Sequence, residues 1–207
     1  DAAPAVAETA DGEPVEIAAD PAAPTCAYVF KTVADPFVGK LSFIKVLAGR
    51  LTAASNVVNA RTGQPERLGK TLTVCGKRQT DTPAIPAGDI GAVAKLAGTN
   101  TGDTLCSPAR PVVLPGVAFE APCLSMAVHA KNKADEEKIS FGLARLMEED
   151  PTIGYTHNHE THERVVSGLG EQHLDVVVSK LKSKFGVEVT LEVPKVAYRE
   201  TIRKNVK

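Results

Sequence analysis

Ser167-Gly-Leu-Gly-Glu-Gln-His-Leu-Asp-Val-Val-Val-Ser-Lys-Leu-Lys-Ser-Lys-Phe185-Gly186 decides how the second half of the chain folds. Leu174, Val177, Val178, Leu181 and Phe185 recur at i, i+3, i+4, i+7 and i+11, a single stripe of a 3.6-residue helix that must be buried. Glu171 and Asp175 lie in its first turns, Lys180, Lys182 and Lys184 in its last, and Gly186 follows as the cap. Charge and cap therefore agree with the helix macrodipole.

Working outward, Cys123–His129 alternates as a strand, and Asp135–Asp150 reads as a helix with Ile139, Leu143, Leu146 and Met147 on its stripe. Residues Ile153–Asn158 and Arg164–Ser167 form a hairpin around His159-Glu-Thr-His162, and Val187–Val193 alternates as a last strand. The order β-α-β-β-α-β predicts a ferredoxin-like domain over 115–193, whose uncovered sheet face is a docking surface. After Pro194, Val196–Ile202 reads as one more strand, and 194–207 is expected to begin a further domain. Upstream, short β-type runs at 27–33, 40–47, 56–60, 69–74, 85–93 and 101–105, punctuated by Gly and Pro, predict a small closed β-barrel over 25–114. Residues 1–24, rich in Ala, Pro, Asp and Glu, are expected to be a linker or disordered lead-in, with an edge strand at Pro14–Ile17 the alternative. The prolines between Pro108 and Pro122 mark the connection between the two domains.

The 207 residues suffice for two such domains, and 43% apolar with 24% charged residues is an ordinary globular balance. A net charge of −1 does not announce a nucleic-acid partner, so any RNA contact must come from local basic clusters. No apolar run has the length of a membrane span and no signal peptide is evident, which makes the expected location cytoplasmic. Cys26, Cys75, Cys106 and Cys123 form no C-x-x-C pair and are expected to be reduced and mostly buried.

Gly63-Gln-Pro-Glu-Arg-Leu-Gly69-Lys70-Thr71 imitates a phosphate loop, but five residues separate its glycines where four are needed, and a strand follows instead of a helix. His157, His159 and His162 are dense enough to suggest a metal, yet the pattern is not H-E-x-x-H, and an exposed hairpin tip accounts for it. Gly168-Leu-Gly170-Glu171 opens a helix and is either a tight turn or an anion contact. Lys40, Lys45, Arg50, Lys70, Lys77 and Arg78 are the barrel positions able to contact RNA phosphates; as a solvated surface they need no function. No nucleophile-base order or carboxylate pair suggests catalysis, and no metal or cofactor is expected in this chain.

Phe30-Lys-Thr-Val-Ala-Asp-Pro-Phe-Val-Gly-Lys-Leu-Ser-Phe-Ile-Lys-Val-Leu-Ala-Gly49, Pro86–Val93 and Thr101–Leu105 resemble the second domain of bacterial elongation factor G, a translational GTPase. Lys133–Ser140, Leu143–Pro151, Ser167–Asp175 and Val196–Ile202 resemble its third domain and the entry to its fourth. The resemblance implies a parent that binds GTP and Mg2+ in another domain and drives ribosomal translocation. It also implies small-subunit ribosomal RNA and protein, together with the parent's GTPase domain, as partners of a monomeric chain. Gly168, Gly170, Glu171, His173 and Arg199 become candidates for interdomain or anion contact. None of the family's GTP-binding motifs is in this sequence, so no GTPase activity is expected of it alone. A ribosome-protection or recycling paralogue and a stand-alone RNA-binding module are the alternatives.

Overall fold

The computed structural model describes residues 3–9, 11–35, 39–132 and 135–202. It divides into two compact units, Asp1–Ala118 and Phe119–Lys207.

The first unit is built on β3 (Cys26–Asp35) and β4 (Gly39–Ala48), whose alternation sends Val29, Ile44 and Val46 inward. Further strands are β5 (Arg50–Thr52), β6 (Asn56–Asn59), β7 (Pro65–Arg67), β8 (Thr71–Cys75), β9 (Arg78–Thr82), β10 (Ala84–Pro86), β11 (Ile90–Ala94) and β12 (Thr104–Cys106). Eight of them form a sheet in the order β7-β6-β12-β3-β4-β11-β8-β9, while β5 and β10 pair separately. The sheet curls around a single core that includes Leu51, Leu68, Ile85, Leu96 and Leu105, the β-barrel of the expected class. Leu68 N–H to Ser55 O (2.9 Å) and Ala54 N–H to Gly69 O (3.2 Å) extend the β6–β7 pairing beyond its ladder; no ladder between β7 and β9 is found among the described residues.

Three sequence expectations change here. The run 85–93 is not one strand: it turns at Gly88 (φ +88), so that β10 pairs with β5 and β11 with β4. Gly91 admits this fold-back, because a Cβ there would lie 2.3 Å from Ile85 Cδ1. Strands β5, β7 and β9 are too short or too polar to carry an alternating signal. Residues 1–24 are not wholly a lead-in: β1 (Ala5–Thr9) and β2 (Pro14–Ile17) form a hairpin, with β13 (Val112–Val113) on the other side of β1. Ala7, Ile17, Val112 and Leu114 bury themselves against Cys26, Ala48 and Cys106, which is why a segment of linker-like composition folds.

The second unit is the expected ferredoxin-like sandwich. Its strands β14 (Leu124–Ala130), β15 (Gly154–Asn158), β16 (Glu163–Gly168) and β17 (Val189–Glu192) lie antiparallel in the order β15-β16-β14-β17. Helices α1 (Glu136–Glu149) and α2 (Glu171–Phe185) bury Ile139, Leu143 and Leu146, and Leu174, Val177 and Leu181, against Val128, Val166 and Val189. Gly186 ends α2 at φ 67, and its N–H closes on Lys182 O. Met147 is 37% exposed and leaves the predicted stripe; Gly142 takes a buried place instead, close to Leu181.

Residues 193–202 are not the expected strand. The Glu163 carboxylate accepts the Lys195 N–H at 2.8 Å, and Arg199 pairs with Glu160. To reach them from β17, the chain crosses the helix-free face of the sheet over β14, where Ala127 is 0% exposed. The sheet face expected to be open is thus partly strapped.

Candidate nucleic-acid interface and the α2 turn

The outer face of β3 and β4 collects aromatic and basic side chains. In the β3–β4 ladder Tyr28 faces Lys45 and Lys31 faces Phe43. A bulge between Val29 and Lys31 leaves Phe30 unpaired and 40% exposed, with its ring 6.3 Å from that of Phe43. The Lys31 ammonium lies 5.9 Å from the Phe43 ring centre, and Ile90, opposite Lys45 on β11, is 50% exposed. Flat rings beside flexible cations suit stacked bases and phosphates together.

The six predicted basic residues do not form one patch. Lys40 and Lys45 share β4, bonding Asn100 Oδ1 (3.1 Å) and Gly88 O (2.5 Å). Arg50 starts β5 and reaches Pro21 O at 3.4 Å. Lys70, at the base of the β8–β9 hairpin, pairs with exposed Asp81 at 2.5 Å, whereas Lys77 and Arg78 lie at its tip. The strand between spans about 17 Å, which separates them. Phe30, Lys31 and Phe43 are not among the residues that sequence reasoning singles out, although they stand in the very motif that carries the resemblance. Their signal is an aromatic and a lysine side by side in one strand facing an aromatic in the next, visible only once the register is known.

Behind the Lys40 contact, a buried polar cluster fixes the loop 97–103. The Asp103 carboxylate, 4% exposed, accepts bonds from Arg61 Nε (2.6 Å) and Nη2 (2.9 Å), Asn59 Nδ2 (2.8 Å) and the Asn100 N–H (2.8 Å). Burial alone would raise its pKa, but the Arg61, Asn100 and Asn59 bonds hold it below the ordinary carboxylate value.

In the second unit the Gly168–Glu171 turn is organised by His173. Its Nδ1 accepts the Leu169 N–H at 3.0 Å while Nε2 lies 3.1 Å from Asp150 Oδ2. The imidazole thereby links the start of α2 to the end of α1. Asp150 also accepts the Thr152 hydroxyl and N–H; burial opposes ionisation, yet these bonds and His173 keep its pKa low. A Cβ on Gly168 would sit 3.0 Å from His173 Nδ1, so the glycine makes room for the ring. Gly170 stands before α2 with open space around it, and Glu171 is exposed in the first turn. Arg199 is engaged by Glu160. The Leu169 N–H is already used within the fold, which favours the tight-turn reading over the anion reading.

The His157 and His159 rings are 4.8 Å apart, His157 within β15 and His159 just beyond its end at Asn158. Among the described residues no three His, Cys, Asp or Glu side chains gather to hold a metal. Neither helix is long and apolar enough to cross a membrane.

A curled barrel with an aromatic-basic face and a β-α-β-β-α-β sandwich are the second and third domains of a translation-factor architecture. Elongation factor G domain 2 matches residues 24–108 and elongation factor G domain III matches 119–193; the chain belongs to that family. A crystal structure of a Thermus thermophilus protein aligns with 88% of this chain at a TM-score of 0.76 and 33% identity. This chain spans 27% of that protein's length.

Proposed function

We propose that these two domains act in ribosomal translocation, as the docking and coupling part of an elongation factor G-like protein. The barrel grips small-subunit ribosomal RNA through Phe30, Lys31, Phe43 and Lys45, and the sandwich relays the state of a GTP- and Mg2+-binding domain elsewhere in the parent, in the cytoplasm. The observation that carries this reading is the clustering of exposed Phe30 and Lys31 with Phe43 on one barrel face, within a domain of this family. The reading assigns no GTP turnover to these residues.

The test is co-sedimentation of the purified chain with small ribosomal subunits over a range of salt. Affinity is expected to fall with ionic strength, and Lys31→Glu or Lys45→Glu to flatten that dependence by about one charge each. Phe30→Ala is expected to weaken binding by about tenfold or more at every salt concentration, as loss of a stacked base does. Salt-independent binding, or variants equal to the parent, would overturn the interface.

A further inference from the structure

Cys26 and Cys106 lie far apart in the sequence and face each other in the barrel. They are Cα partners in the β3–β12 ladder. The Ser107 N–H bonds Thr25 O, and the Val29 N–H bonds Asp103 O, both at 2.9 Å. These bonds mark 25/107 and 29/103 as hydrogen-bonded pairs, so by alternation 26/106 is a non-hydrogen-bonded pair. Side chains stand closest at such positions, with Cα atoms about 4.5 Å apart. A disulfide accepts Cα separations of about 4.4–6.8 Å. Both thiols are free, and both point into the cluster formed with Ala7, Ile17, Val112 and Leu114. The remaining cysteines, Cys75 and Cys123, are exposed.

We propose that Cys26 and Cys106 are a disulfide-forming pair oxidised by hydrogen peroxide, with the β1-β2-β13 sheet as the cover that controls access. The Cys26 thiolate attacks one peroxide oxygen; the S–O bond forms as the O–O bond breaks, and the departing hydroxide takes a proton to become water. The Cys106 sulfur then displaces the hydroxyl of the Cys26 sulfenic acid. The S–S bond forms, the S–O bond breaks, and the Cys106 proton leaves with the hydroxyl as a second water. Two electrons pass from the thiols to the peroxide, and no other reactant is needed. Hydrogen peroxide is small enough to enter a site where the thiols are 2% and 0% exposed. Burial, and then Cys106, push the Cys26 thiol up to about 11, and Arg110 offsets this only in part. The reaction is therefore slow at neutral pH and accelerates as the thiolate fraction rises. Cys106 Sγ donates to Val58 O at 3.6 Å, a weak bond that it gives up on oxidation.

The test uses the full chain with Cys75→Ser and Cys123→Ser, both exposed positions, treated with hydrogen peroxide and followed by intact mass and peptide mapping. The expected product is monomeric, about 2 Da lighter, with the Cys26 and Cys106 peptides joined. Its rate should rise by about tenfold per pH unit between about pH 7 and pH 9. Ile17→Ala, which thins the cover, should speed it several-fold while circular dichroism stays native. Sulfinic acid at Cys26 without a crosslink, joined chains, or thiols that react only after unfolding in urea would each overturn the proposal. A crosslink whose rate is the same in Ile17→Ala would overturn the role given to the cover.

Discussion

Asp103→Ala should unfasten the loop that holds Lys40. The carboxylate is 4% exposed and accepts four bonds, two from Arg61 and one each from Asn59 and Asn100. Its loss leaves the Nδ2 of Asn59, a residue 0% exposed, with Thr99 Oγ1 at 3.3 Å and Gly98 O at 3.4 Å as its acceptors among the described residues. A poorly satisfied buried donor costs about 1–3 kcal/mol, and lost charge-assisted bonds about 1.5–3 kcal/mol. Arg61 is 52% exposed and regains water, so its share is discounted. The expected loss is about 3 kcal/mol, a fall of about 10 °C or more in the barrel's melting midpoint. Arg61→Ala should cost less, about 1–2 kcal/mol, because Asp103 keeps two donors and the guanidinium was half in water. Because the folded pKa is depressed, this stability is complete above the unfolded value of about 3.9 and is lost as pH falls through the lower folded value. Asp103→Asn should lack that acid limb. Urea unfolding followed by circular dichroism at neutral and acid pH measures all three. A loss under about 1 kcal/mol for Asp103→Ala, or a larger one for Arg61→Ala, would refute the assignment of Asp103 as the centre of the cluster.

Other outcomes follow from the second unit. His173→Ala removes the link between Leu169 and Asp150 and should cost about 2 kcal/mol, with faster amide exchange at Leu169; an unchanged exchange rate would contradict it. Leu181→Ala, at a side chain 1% exposed between the helices, should cost about 2–5 kcal/mol in urea unfolding. Glu188, whose bonds to Lys182 and then Lys131 lower its pKa from 4.5 to about 2, should show that midpoint by carboxyl NMR at low salt. High salt should move it back up, since the group is exposed.

Much of this architecture is legible in the sequence because its elements carry their own periods. The stripe from Leu174 to Phe185, the acids before it and Gly186 after it define α2 without reference to any neighbour. The β-α-β-β-α-β order follows from such local signals, and handedness and pairing rules leave few other topologies. The basic residues are also visible, since charge is a property of composition. Their grouping is not: Lys70 and Lys77 look adjacent in the sequence and stand at opposite ends of one hairpin.

What only the tertiary structure decided depends on register and burial. The hairpin at 5–17 has linker-like composition and folds because the barrel offers Cys26, Ala48 and Cys106 as an apolar bed. Val196–Ile202 has a strand's pattern but forms none: Lys195, just before it, is held by Glu163, and Arg199 within it by Glu160 of the β15–β16 loop. The Phe30–Lys31–Phe43 face and the Cys26–Cys106 pair exist only because one ladder sets Lys31 opposite Phe43 and another sets Cys26 opposite Cys106. Local sequence encodes period, cap and charge; which residues meet across strands depends on a pairing energy distributed over the whole sheet.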